Sequence, residues 1–291
     1  MGVEITSKPN GPSSDLPLAK LKDARQVFDD FTRGWHRAAD AFRFAFEPRM
    51  TAFTSEIELV AHIERAPDTA GLALLLRHCV ADVRSALDNA IYGMGVEAGL
   101  ADSALRNLAF PIITSSASWA KKGKRDKLAG LPEDVVARVE RVQPFSTLDP
   151  LPLTYLADLV NSDKHRAGFT LELVPLLPDR ESKIWDLETE MHPADAEQAI
   201  AALNADEQVS IDLGPIWDRK VVARMRLPSG TGPQVRVKNV NFPVTLAVEA
   251  GRETRSLPVV PTMERVFDYV TSAVRYIVGD DAHPPGAYTF R

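Results

Sequence analysis

The stretch TAGLALLLRHCVADVRSALDNAIYGM, residues 69 to 94, reads as one long amphipathic helix and sets the class of the fold. Leu72, Leu76, Cys79, Val80, Val83, Leu87, Ile91 and Met94 fall in a single stripe at about 100° per residue, the mark of a helix with one buried face. Asp68 or Thr69 is the expected cap. Arg77, Arg84 and Asp88 run along one edge of the stripe, while His78 and Asn89 point away from it. Arg84 and Asp88, one helical turn apart, are placed to pair at the core boundary.

Working outward toward the N-terminus, Ile57, Leu59, Ala61 and Ile63 alternate with polar residues, as in a strand buried on one face, and a hairpin with Phe44 to Phe53 is the simplest account. Leu18, Leu21, Val27, Phe28 and Phe31 predict a helix from about Asp15 to Ala41. Residues 1 to 12 read as a flexible leader. Toward the C-terminus, Leu131-Pro132-Glu133 opens a short helix through Val142, and Asp149 to Arg166 forms another on Leu153, Leu156, Leu159 and Val160. Strand patterns then follow at Phe169 to Leu177, Lys183 to Met191, Val209 to Leu213, Lys220 to Leu227, Val235 to Val240 and Val244 to Glu249, with a helical insertion at Pro193 to Asn204. Met263, Val266, Phe267, Val270, Val274 and Ile277 return to helical spacing over Pro261 to Val278. The expected fold is α+β. It comprises a helical domain with a β-hairpin (13–167), an antiparallel β region (168–260), a C-terminal helix packing back on the helical domain (261–279) and a loose tail (280–291).

Composition narrows the function classes. The 291 residues are 45% hydrophobic and 25% charged with a net charge of -6, which describes a globular chain with enough apolar material for a large core. No run approaches the ~18 apolar residues of a membrane span, and Met1-Gly2-Val3-Glu4-Ile5 lacks the basic-then-apolar order of a secretion signal, so cytoplasm is the expected compartment and no membrane partner is expected. One cysteine, Cys79, excludes a disulfide scaffold and a cysteine-rich zinc site. The histidines, His36, His62, His78, His165, His192 and His283, are too scattered for a metal motif, and no cofactor loop is present, since Gly93-Met94-Gly95 lacks the flanking strand and the lysine of a phosphate loop. The acidic balance disfavours a general nucleic-acid coat, although Lys121-Lys122-Gly123-Lys124-Arg125 is a local basic run.

The densest run of hydrogen-bonding groups is Asn161-Ser162-Asp163-Lys164-His165-Arg166, at the end of the 149–166 helix. Asp163 continues that helix's apolar face, where a carboxylate is costly unless an opposite charge meets it, and Arg84 is the expected partner. His165 lies instead with Asn161 and Asp158 on the accessible side.

Taken together, Arg84-Ser85-Ala86-Leu87-Asp88, Phe110-Pro111-Ile112, Leu128-Ala129-Gly130-Leu131, Gln143-Pro144-Phe145 and the 161–166 run resemble a widespread group of uncharacterised bacterial proteins over roughly residues 15 to 175. In that group the first motif typically ends in a histidine, four residues of separation that are similar to the signature of HEPN domains, helical bundles that include metal-independent ribonucleases. Asn89 stands here in that histidine's place, leaving His165 as the imidazole near the constellation. The resemblance implies an RNA-cleaving or RNA-binding protein. His165 would act as general acid or base, Arg84, Lys164 and Arg166 would hold the phosphate, and Asp88, Asn161 and Asp163 would support them. The competing expectation is a noncatalytic module, with a homodimer or another protein as partner, in which these same residues form an ion network tying two helices and cap a helix end.

Overall fold

The computed structural model describes residues 15–51, 56–121, 125–165, 170–175, 185–189, 209–212, 214–226, 235–240, 244–248, 257–281 and 283–285, with the backbone alone at 50, 51, 163–165, 185–189, 209 and 235–240. The expected leader, the 193–204 helical insertion and Arg166 lie outside them.

The protein is α+β, with seven α-helices and antiparallel strands among the described residues. Helix α1 (Asp15–Ala41) leads into the hairpin β1 (Arg43–Thr51) and β2 (Glu56–Arg65), and then α2 (Ala70–Glu97) runs the length of the helical half. Thr69 occupies the cap position of α2 without a side-chain bond, and Asp68 Oδ1 accepts the Ala70 N–H at 3.1 Å in its stead. Short turns α3 (Asp102–Leu105) and α4 (Ser116–Trp119) follow, then α5 (Glu133–Arg141) and α6 (Leu151–His165). The six expected strands are all present, as β3 (Leu171–Pro175), β4 (Trp185–Thr189), β5 (Val209–Ile211), β6 (Val221–Arg226), β7 (Val235–Val240) and β8 (Val244–Val248). Helix α7 (Val259–Val278) ends the described fold, closed by Gly279 at φ 89°, the left-handed conformation that favours glycine at a helix end.

Packing of the helices is dense. Phe28, Phe31, Leu76, Val83, Leu87, Ile91, Leu153, Tyr155, Leu156, Leu159, Val266, Val270 and Val274 are all essentially inaccessible, and α7 lies against α1, α2, α5 and α6. A Cβ on Gly34 of α1 would fall 2.7 Å from Leu72 Cδ2 of α2, so the missing side chain lets these two helices approach. Leu171, Leu173, Leu246 and Val248 of the β3–β8 pair join this same core.

The sheet pairing was not legible from strand patterns alone. β2 has β1 on one side and β6 on the other, and β5 completes a four-stranded sheet in the order β1-β2-β6-β5. The hairpin is therefore continuous with strands from far along the chain: Glu58 faces Arg224 and Glu56 faces Arg226. Ile57, Leu59 and Ala61 point into the protein, as their alternation requires, while Glu58 on the opposite face is held between Arg49 (2.6 Å) and Arg224 (3.2 Å). Hydrogen bonds from these guanidinium groups, Arg49 foremost, hold the Glu58 carboxyl below the usual carboxylate range.

Candidate functional site

Helical spacing puts Arg84 and Asp88 one turn apart on α2, and they form a two-pronged pair: Arg84 Nη2 donates to Asp88 Oδ1 at 2.8 Å and Nε to Oδ2 at 3.2 Å. The pair also grips a loop. Arg84 Nη2 donates to the Phe110 carbonyl, and the Phe110 N–H donates to Asp88 Oδ1 at 2.8 Å. The two side chains are 21% and 35% exposed, whereas Phe110 is fully buried. Both polar groups of the Phe110 peptide, which would otherwise be stranded beside the core, thus find partners on α2.

Three residues further on, the Ile113 N–H donates to Gln143 Oε1 at 2.9 Å, and Gln143 Nε2 donates to the Val139 carbonyl at 3.1 Å. Gln143 is fully buried, so its amide acts as a polar bridge through the core. The Ala109 N–H donates to the Lys127 carbonyl at 3.1 Å, beside buried Leu128 and Leu131. The motifs at 84–88 and 143–145 therefore both hold the backbone of the segment that contains 110–112, and Lys127, the residue before the 128–131 motif, bonds to it at Ala109.

Residues 161 to 165 form the last turn of α6, which ends at His165. Asn161 is exposed and Ser162 is buried, and helical spacing places the backbone position of His165, four residues after Asn161, on the same side of the helix as Asn161. The side chains of Asp163, Lys164 and His165, and all of Arg166, lie outside the described residues. Among the described residues the partners of Arg84 are Asp88 and Phe110; the side chain of the expected partner, Asp163, is not described. Elsewhere on α6 the Tyr155 hydroxyl is wholly buried without a described partner, and burial pushes the phenol's pKa up.

A second polar group had no signal in the sequence, because its members are far apart in the chain. His62 Nδ1 lies 3.2 Å from Asp218 Oδ1, which also accepts the Ile63 N–H at 3.0 Å. That backbone bond is the main reason the Asp218 carboxyl sits below its usual range, with His62 and Arg219 adding to it. The turn that carries Asp218 holds Arg219 at φ 63°, unusual for a residue with a side chain. It presents Trp217, 57% exposed, with the Lys220 ammonium 4.7 Å from its ring centre. Lys220 is itself 6% exposed, bonded to the Pro215 carbonyl at 2.6 Å and paired with Asp212 at 3.1 Å. A groove of about 560 Å³ lies beside this turn, lined chiefly by Ile63, Pro67, Leu171, Leu173, Ile216 and Trp217.

Among the described residues no three His, Cys, Asp or Glu side chains gather closely enough to hold a metal ion, and no helix is long and apolar enough to cross a membrane. Cys79 is fully buried, and burial raises its thiol pKa far from the nucleophilic range. Comparison of the chain with protein-family models, with curated proteins and with solved structures finds no match.

Proposed function

We propose that the chain is a noncatalytic interaction module in which the Arg84–Asp88 pair serves the fold. The observation that carries this reading is the closed ring of hydrogen bonds between Arg84, Asp88 and the Phe110 peptide. A phosphate-binding arginine needs its charge and its donors available to the ligand. Here the charge is met by a carboxylate, and Nε and Nη2 are both engaged.

The second reading is an HEPN-like, metal-independent RNA-cleaving or RNA-binding protein of the cytoplasm. It is supported by the last turn of α6, where exposed Asn161 and the position of His165 share one face. In it His165 exchanges the 2'-hydroxyl proton, Arg84, Lys164 and Arg166 hold the phosphate, and Asp88, Asn161 and Asp163 orient these groups.

The two readings separate in one experiment. Purified protein is incubated with labelled single-stranded RNA and transfer RNA in EDTA, with a folded His165→Ala variant in parallel. The interaction-module reading expects no cleavage by either protein. Cleavage by the parent that disappears in His165→Ala overturns it in favour of the nuclease.

A further inference from the structure

We draw no further inference here: the strongest candidate, the apolar groove between the end of β2, strand β3 and the turn that presents Trp217, carries nothing, because its carboxylate Asp218 is already met by the Ile63 N–H and by His62 and nothing in the structure shows what covers it.

Discussion

Replacing Asp88 with alanine removes two interactions at once, and their sizes follow from burial. The first is the acceptor for the Phe110 N–H, at 2.8 Å and attached to a residue with no accessible surface. A buried donor left without a partner costs about 1–3 kcal/mol. The second is the ion pair with Arg84, whose members are 21% and 35% exposed; solvent screening reduces it to about 0.5–1 kcal/mol. Asp88→Ala should therefore lower unfolding stability by about 1.5–4 kcal/mol, and the melting temperature by about 2–7 °C in a chain of this size. Asp88→Asn keeps an oxygen for the Phe110 N–H and gives up only the charge, so it should lose about 1 kcal/mol. Denaturant unfolding of both variants, of Arg84→Ala and of the Arg84→Ala/Asp88→Ala pair gives the coupling energy directly, expected at about 1 kcal/mol. Amide exchange at Phe110 should accelerate in Asp88→Ala and stay close to the parent in Asp88→Asn. An Asp88→Ala protein within about 0.5 kcal/mol of the parent, with Phe110 exchange unchanged, would refute the clamp.

Gln143→Leu fills nearly the same space but leaves the Ile113 N–H unpaired in the core, and should cost about 2–3 kcal/mol, read as a fall in denaturation midpoint without a change in slope. Glu58 carries a sign that can be checked. Its carboxyl titrates below the unfolded value of about 4.3, so the folded state binds fewer protons, and its stabilisation is present above that value and disappears as pH falls through the folded pKa. Glu58→Gln should cost about 1 kcal/mol at pH 7, since both arginine partners are more than half exposed, and the variant should lose less stability than the parent between pH 5 and 3 in urea titrations.

Much of the architecture was legible because periodicity is local. The 3.6-residue stripe of α2 and the two-residue alternation at Ile57, Leu59 and Ala61 each concern only neighbouring residues. Chain pairing is not local, and nothing in Glu58 announces that Arg224 lies beside it, or in His62 that Asp218 does. The motif at 84–88 shows a subtler limit. Its four-residue spacing identifies the Arg84–Asp88 pair, but the same two residues serve equally to hold a phosphate, a second carboxylate or a peptide group. The peptide of Phe110 becomes a partner through the return of the chain after α3, which helical spacing does not encode. Gln143 was visible as part of a loop-closing motif, yet its burial, and with it its weight, depends on packing from Val139 and Ile113.

The partnership of β2 with β6 also sets a timetable. On a ribosome adding ~5–20 residues per second, β2 emerges roughly 8 to 30 s before the end of β6, about 160 residues later. Throughout that interval the inner edge of the nascent hairpin has no strand to bond, and Ile57, Leu59 and Ala61 have lost neither their appetite for cover nor their access to neighbouring chains. Slow translation between residues 65 and 226 would lengthen this vulnerable period without altering one contact of the finished protein. Yield in the cell is thereby tied to synthesis rate and to chaperone capacity, independently of how stable the folded state is.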